Sequence, residues 1–200
     1  MAFRKYQITR RESFATLGVG LPAFSLGLSG CDSAKTLPKE LNVDFVVIGG
    51  GLGGCAAALS ALQSGLTVIM TEETDWIGGQ LTSQGVPPDE HQWIEEFGCT
   101  QTYRDLRNAI RNHYKKNYPL TADARSNKVL NPGSGSVSHL CHAPRVALAC
   151  LEEKLEPFIS SGKLTLLKKT IPEAVETDND EVKSVEVLNL ESNMQLILRG

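Results

Sequence analysis

Short apolar runs separated by helical stretches make up most of the chain, a pattern typical of an α/β domain with parallel strands. The first run, residues 45–48, is uninterrupted, as in a strand buried on both faces. Residues 52–64 have helical character and are rich in alanine, and residues 66–70 form a second apolar run. Residues 164–167 form a third run. We therefore predict a strand, a helix and a strand in succession, with a third parallel strand at 164–167.

Two more helices are predicted between the second and third strands. Residues 102–116 place four apolar or aromatic residues on one face, which favours a packing face: Tyr103, Leu106, Ile110 and Tyr114. The opposite side carries five basic residues, which favours a solvated face, with a surface for an anionic substrate as the alternative: Arg104, Arg107, Arg111, Lys115 and Lys116. The second helix begins at Pro144, because proline suits the first helical turn.

The last part of the chain favours strands. Short β-type segments occur at residues 174–176, 182–190 and 195–198, with turn residues between them. We predict an antiparallel meander attached to the sheet. The predicted fold is therefore a Rossmann-like three-layer α/β fold with a β-meander, covering residues 43–200.

Composition is that of a globular protein, with 41% hydrophobic and 22% charged residues among 200. The net charge of -3 is unevenly distributed, because residues 1–31 hold four of the 20 basic groups and one of the 23 acidic groups. The remainder is acidic and shows no basic stripe. This balance gives no reason to expect a nucleic-acid partner.

The first 31 residues have the layout of a signal peptide, with a basic start followed by a weakly apolar stretch. Arg10 and Arg11 resemble a twin-arginine export signal. The segment ends in Leu-Ser-Gly-Cys, which resembles a bacterial lipobox, so Cys31 is predicted to be lipidated. A polar tether over residues 32–42 follows. These features predict an exported lipoprotein anchored to the membrane; a chance cysteine in an apolar leader is the alternative.

A glycine motif, G-x-G-x-x-G, follows the first strand at Gly49, Gly51 and Gly54, with a further glycine at Gly53. In dinucleotide-binding folds such glycines allow a tight turn, a close approach to the pyrophosphate and close helix packing. Glu72 follows the second strand, where a carboxylate accepts hydrogen bonds from ribose hydroxyls and repels a 2′-phosphate. The motif therefore predicts FAD or NAD and disfavours NADP.

The chain from Val46 through Ile77-Gly78-Gly79-Gln80 resembles the N-terminal part of bacterial FAD-dependent oxidoreductases of the glutathione-reductase-like Rossmann superfamily. Residues 84–91 and 141–145 resemble one exported subgroup of them. The resemblance implies FAD as the cofactor and flavin-mediated hydride or electron transfer to an unknown substrate. It also implies that Gly78 and Gly79 lie close to the cofactor, and that Arg145 is directed toward its phosphates unless it is a surface residue.

Other chemistry-bearing residues are less specific. Asp89, Glu90 and His91 can move protons, but a polar surface loop is the favoured explanation. His139, Cys141 and His142 are potential metal ligands, but no second ligand pair at a recognisable spacing accompanies them, so no metal is predicted. Catalytic residues are not predicted.

Two alternatives to the FAD-dependent oxidoreductase stay open. The first is an NAD-binding Rossmann protein, which the glycine pair at residues 78–79 disfavours. The second is a non-catalytic, lipid-anchored fragment, because 200 residues leave little room for the domain that closes over a flavin. A longer natural chain would favour the enzyme.

Overall fold

The computed structural model describes the backbone strand Arg4–Gln7 and residues 38–200. The strands of this part are β1 (Arg4–Gln7), β2 (Lys39–Asn42), β3 (Phe45–Val47), β4 (Val68–Thr71), β5 (Leu164–Leu167), β6 (Thr170–Asp178), β7 (Glu181–Asn189) and β8 (Gln195–Arg199). The helices are α1 (Leu52–Gln63), α2 (Gln101–Asn117), α3 (Ala122–Ser126) and α4 (Pro144–Ser160), with a short 3-10 helix at Gly79–Leu81. The mixed α/β prediction is confirmed.

A parallel sheet in the order β3-β4-β5 forms the first layer of the fold. Helix α1 connects β3 to β4, which is the crossover that parallel neighbours require. Strand β4 lies in the middle and all four of its residues are buried, as its apolar run predicts. The predicted third parallel strand is confirmed, with Val68 paired to Leu164 and Thr71 to Leu167.

The C-terminal meander forms a sheet of its own, in the order β1-β6-β7-β8-β2, rather than extending the parallel sheet. Strand β6 is longer than the predicted segment 174–176, whereas β7 and β8 lie within one residue of the predicted 182–190 and 195–198. Strand β2 runs parallel to β8 and pairs Lys39 with Leu196 and Asn42 with Arg199. Residues 39–42 of the predicted tether therefore belong to the sheet, and the folded region begins before residue 43.

Strand β4 separates two hydrophobic clusters. Val68 and Met70 pack on the helical side with residues of α1 and α4. Ile69 points the other way, into a cluster with Val187 and Leu198 of the five-stranded sheet. The molecule thus has helices on one face of the parallel sheet and the meander on the other, which is the predicted three-layer arrangement.

Helices α2 and α4 pack against each other beside α1. The predicted apolar face of α2 is confirmed, since Leu106, Ile110 and Tyr114 are buried. The prediction that Arg107 and Arg111 belong to a solvated face is wrong, because they are 1% and 3% exposed. Carboxylates on the preceding loop compensate their charge, which a helical periodicity alone does not reveal.

Except for residues 4–7, the predicted signal peptide lies outside the described residues, as do the twin-arginine pair, the lipidation site Cys31 and residues 32–37 of the tether. Strand β1, within the predicted leader, pairs antiparallel with β6, with Arg4 opposite Thr177 and Gln7 opposite Ala174. In the described part of the chain, no helix combines the length and apolar character needed to cross a membrane.

Candidate dinucleotide-binding site

The glycine turn between β3 and α1 is the centre of the site. Gly49 has φ +101°, a left-handed conformation that favours glycine, and its N–H donates to Thr71 Oγ1 at 3.0 Å. Helix α1 begins after Gly51 with no side-chain cap and no acidic residue in its first turn. The amide groups at this positive helix end are therefore arranged to bind an anion.

The glycines of the turn differ in whether a side chain would fit at their position. A Cβ atom on Gly54 would lie 1.9 Å from the carbonyl oxygen of Gly49, so this glycine is required for close packing of helix and strand. A Cβ atom on Gly51 or Gly53 would meet nothing within 4 Å. The surface above these two glycines is open, and it is the space that the motif reserves for a pyrophosphate. The turn therefore fits a dinucleotide.

The second glycine segment lies directly against the first. The N–H of Gly78 donates to the carbonyl of Gly50 at 2.7 Å, and Gly51 and Gly78 form an isolated parallel bridge. Both Gly78 and Gly79 have positive φ angles, of +101° and +51°. A Cβ atom on Gly79 would approach the Cα of Gly51 to 3.2 Å. The structure thus brings together the two glycine segments that the sequence separates by about 27 residues.

Glu72 lies immediately after β4 and is 7% exposed. Its Oε1 accepts hydrogen bonds from the N–H of Thr74 at 2.8 Å and from Thr74 Oγ1 at 2.7 Å. Its Oε2 lies beside Gly50, where a Cβ atom would come within 2.8 Å of it. Thr74 therefore fixes the carboxylate next to the glycine turn, at the strand end where a ribose-binding acid is expected.

Arg145 is an exposed residue in the first turn of α4. Its guanidinium carbon lies 5.3 Å from the ring centroid of Trp76, which precedes Gly78 by two residues. Arg145 is thus near the second glycine segment, held by a cation–π contact. A role toward cofactor phosphates stays a prediction.

A cavity of about 310 Å³ adjoins the start of α1 and the 3-10 helix. Gly53, Gln80 and Leu81 line one side, and Asp89 and Tyr103 line the other. The cavity extends the open surface above the glycine turn toward helix α2. It provides the space into which the remainder of a dinucleotide could extend.

A buried cluster of charges lies beyond Tyr103. The hydroxyl of Tyr103 donates to Glu90 Oε1 at 2.5 Å, and Arg107 contacts both Glu90 and Glu95. Arg111 donates to Glu95 Oε2 at 3.0 Å. Burial, reinforced by the hydrogen bond to Glu90, raises the pKa of Tyr103, so its hydroxyl stays protonated. Sequence analysis named Glu90 as a candidate for proton transfer, but no sequence pattern identified Glu95 as the ion-pair partner of Arg107 and Arg111.

The other candidate proton-transfer residues, Asp89 and His91, and the histidine His142 lie in different environments. Asp89 and His91 are exposed, and His91 packs against the exposed rings of Trp93 and Phe97. His142 is half-buried, with Nδ1 2.8 Å from the carbonyl oxygen of Leu140, and burial lowers its pKa. Its imidazole is therefore neutral near pH 7.

Metal ligation finds no support within the described region. No group of three His, Cys, Asp or Glu side chains among residues 38–200 could hold a metal ion. The four cysteines of that region are unpaired, and burial raises the pKa of Cys55 to about 12, so its thiol is inert. Cys55 is 4% exposed and packs as a small buried residue of α1.

Comparison with known proteins agrees with this geometry. Residues 44–197 match the model of the FAD dependent oxidoreductase family. The chain is similar to the NADH:acrylate oxidoreductase of Vibrio harveyi, at 40% identity over 67 residues that cover 32% of this chain and 6% of that protein. It is also similar to the bilirubin reductase of Mediterraneibacter gnavus, at 30% identity over 116 residues that cover 57% of this chain and 17% of that protein.

Among solved structures, the Sdh1 complex of Mycobacterium smegmatis in its apo form resembles the chain with a TM-score of 0.50 and 14% identity. The match covers 81% of this chain and 33% of that one, and it supports the fold alone. This chain spans between 6% and 17% of the lengths of the curated relatives that it matches. Because the family model covers most of its length, the chain belongs to the FAD dependent oxidoreductase family.

Proposed function

We propose that this chain is the cofactor-binding part of a FAD-dependent oxidoreductase. The single observation that carries the proposal is the contact between the two glycine segments, with open space above Gly51 and Gly53. In that arrangement the uncapped N-terminus of α1 lies beside glycines that have no side chains. An extended dinucleotide needs both features, because its pyrophosphate binds the amide groups of the helix and the rest of the cofactor must pass close to the protein main chain.

Each residue of the site has a separate role in this proposal. Gly49, Gly51, Gly53 and Gly54 form the pyrophosphate turn, Gly78 and Gly79 let the cofactor pass, and Glu72 accepts hydrogen bonds from the ribose hydroxyls. Arg145 lies at the rim, where its charge favours the phosphates. When bound, FAD supplies hydride or electron transfer, while the protein supplies position and electrostatics. Tyr103 lines the cavity wall, and its hydroxyl proton is donated to Glu90.

The test is the visible absorption spectrum of the purified chain and of any longer natural form. We expect flavin bands at about 370 and 450 nm. Gly51→Val should remove them, because its side chain would enter the open space above the turn. Ala57→Val adds the same side chain at an exposed position of α1 and should leave the bands unchanged. Thermal unfolding checks that both variants fold.

Three outcomes separate the alternatives. A longer form that binds NAD but takes up no FAD would overturn the proposal in favour of an NAD-binding protein. If neither form binds either cofactor, the chain is a non-catalytic fragment. If Gly51→Val keeps a full complement of flavin, the cofactor lies elsewhere.

We also propose that the protein is exported by the twin-arginine route and anchored through a lipid on Cys31. The support is the sequence of residues 1–31 and a physical argument. A flavoprotein that acquires FAD in the cytoplasm must cross the membrane folded, which is what this route allows. Removal of residues 1–30 would also remove β1 and leave β6 as an edge of its sheet.

Fractionation of a bacterium expressing the full chain tests the export proposal. We expect the protein in the membrane fraction, and Cys31→Ser should release it or leave it unprocessed. Replacing Arg10 and Arg11 by lysine should keep it inside the cell. Cys99→Ser changes another cysteine and should alter neither result. Unchanged membrane association of Cys31→Ser would exclude the lipid anchor.

A further inference from the structure

The hydroxyl of Thr74 lies at the centre of a small hydrogen-bond network beside the glycine turn. It is 2.7 Å from Glu72 Oε1 and 3.0 Å from the carbonyl oxygen of Trp76, and it accepts from the N–H of Trp76 at 3.1 Å. A hydroxyl has one proton to donate, and the shorter contact, to a carboxylate, is the stronger of the two. The proton of Thr74 therefore goes to Glu72.

Thr74 fills the acceptor positions of Glu72 Oε1. The N–H of Thr74 donates to the same oxygen at 2.8 Å, so this oxygen receives two hydrogen bonds from one residue. A carboxylate oxygen has about two such positions. Oε1 therefore has no position left for a ligand.

The other oxygen of Glu72, Oε2, is available. Among residues 38–200, no donor contacts it. It is not sealed from solvent either, because the sealed and unpartnered side-chain atoms of this region are Glu90 Oε2 and Arg107 Nε. Gly50 leaves it uncovered, since a Cβ atom there would lie 2.8 Å from Oε2. The carboxylate thus presents one oxygen to a ligand beside the glycine turn.

Thr74 is itself held by the connection between β5 and β6. Its carbonyl accepts from the N–H of Lys169 at 3.3 Å, and the carbonyl of Glu72 accepts from the N–H of Thr170 at 2.9 Å. The side chain of Lys169 also pairs with Asp75 at 3.2 Å. The loop that carries Thr74 is therefore organised before a ligand binds.

We propose that Thr74 is a positioning residue for nucleotide binding, whose hydroxyl and N–H hold Oε1 of Glu72 so that Oε2 meets the ribose hydroxyls of an adenosine diphosphate group. The inference rests on the proposed function and adds a residue to it that acts through Glu72. A freely rotating glutamate loses conformational freedom when it binds a ligand, and Thr74 removes that cost in advance. The hydroxyl of Thr74 therefore matters only for ligands that carry ribose hydroxyls.

Calorimetric titration of the full chain, after removal of any bound flavin, tests the inference with ADP and 2′,3′-dideoxy-ADP. Thr74→Val removes the hydroxyl and keeps the N–H and the approximate shape of the side chain. We expect it to weaken ADP binding by about two- to tenfold, the range for immobilising one flexible side chain. It should leave the binding of dideoxy-ADP unchanged, because that ligand has no ribose hydroxyl for Glu72 to bind.

Three further variants control the experiment. Thr74→Ser keeps the hydroxyl and should bind ADP as the wild type does. Thr165→Val makes the same substitution at an exposed position of β5 and should leave ADP binding unchanged. In a Glu72→Ala background, Thr74→Val should have no further effect, because the residue through which it acts is gone. Thermal unfolding checks that each variant folds.

Unchanged ADP affinity in Thr74→Val would overturn the inference, since the hydroxyl would then not be needed. Equal losses for ADP and dideoxy-ADP would also overturn it, because Thr74 would then support the glycine turn rather than the carboxylate. A wild-type chain that binds both ligands equally would show that Glu72 does not contact the ribose. A wild-type chain that binds neither ligand would overturn the proposed function as well, so the two failures are distinguishable.

Discussion

Glu95 accepts hydrogen bonds from two arginines, Arg107 and Arg111, and its side chain is 19% exposed. Burial alone would raise the pKa of this carboxyl. The hydrogen bond from Arg111 and the charges of both arginines outweigh burial and lower the pKa below its ordinary value of 4.5. Folding therefore favours the ionised form of Glu95.

This pKa predicts how stability depends on acid. A depressed carboxyl pKa gives stability that is present above pH 4.5 and lost as pH falls through the folded value, because the unfolded chain binds the proton more readily. Glu95→Gln should be less stable than the wild type at pH 7, and the difference should narrow as pH falls below 4.5. Urea unfolding at several pH values measures it.

Glu96→Gln is the control, since this neighbouring glutamate is exposed. Burial lowers the pKa of His142, so a separate loss of stability begins below pH 6.5 and both variants should retain it. If the difference in unfolding free energy between wild type and Glu95→Gln stays constant from pH 7 to pH 3, Glu95 is not stabilised in its ionised form by Arg107 and Arg111.

Residue positions were predictable from sequence where spacing alone determines them. The glycines at 49, 51 and 54 lie in the turn and Glu72 follows β4, as the fixed intervals of strand, turn, helix and acid predict, while their roles toward a cofactor stay predictions. Glu95 and the burial of Arg107 and Arg111 could not be assigned, because their contacts join a loop to a helix at 12 to 16 residues' separation. The spacing of apolar residues along a helix predicts which face of that helix is buried, but it does not show which other segment of the chain packs over the opposite face.

Helix α2 depends on a single side-chain cap at its start. Thr100 Oγ1 accepts from the N–H of Tyr103 at 3.3 Å, and the helix then carries the buried arginines of the charge cluster. Thr121 caps α3 with the same 3.3 Å geometry, but α3 has five residues and buries none of them. The two threonines form a matched pair for testing what a cap contributes.

Thr100→Ala should lower the free energy of unfolding by about 1 kcal/mol, the usual effect of losing an N-cap. Thr121→Ala should have a much smaller effect, because α3 can fray without exposing core residues. Chemical denaturation of both variants measures the difference. Equal losses in the two variants would show that α3 is as tightly coupled to the fold as α2.

Elements with strong local signals were predicted to within a few residues. Helix α4 begins at Pro144 as expected, since proline fixes the first turn. Strand β2 was missed because its sequence, Lys-Glu-Leu-Asn, has one apolar residue and gains its place only by pairing with β8. Separation of the meander from the parallel sheet is likewise a tertiary property.

At the scale of the whole molecule, strand β4 contacts both the helices on one side of the parallel sheet and the five-stranded sheet on the other. Ile69 is 2% exposed and joins β4 to the five-stranded sheet. Ile69→Ala should lower the free energy of unfolding by roughly 2–5 kcal/mol, because it leaves a cavity between the two sheets. Ile159→Ala, at a 36% exposed position of α4, should cost much less.

Circular dichroism and tryptophan fluorescence, followed together during unfolding, measure both variants. Since β4 contributes to both hydrophobic clusters, we expect the two signals to change in one transition. Two separate transitions in Ile69→Ala would show that the sheets fold as independent units.

The hydrogen bond between Gly78 and Gly50 has a consequence for engineering. This hydrogen bond is made by main-chain atoms alone. Replacing the side chains around it to accommodate another nucleotide should therefore leave the distance between the two glycine segments unchanged. The short stretch from Glu72 to Gly78 is different, since an insertion there would push the second segment away from the first. Libraries that aim at a new cofactor should therefore vary residues between Glu72 and Gly78, keep Gly78 itself and keep the length of this loop.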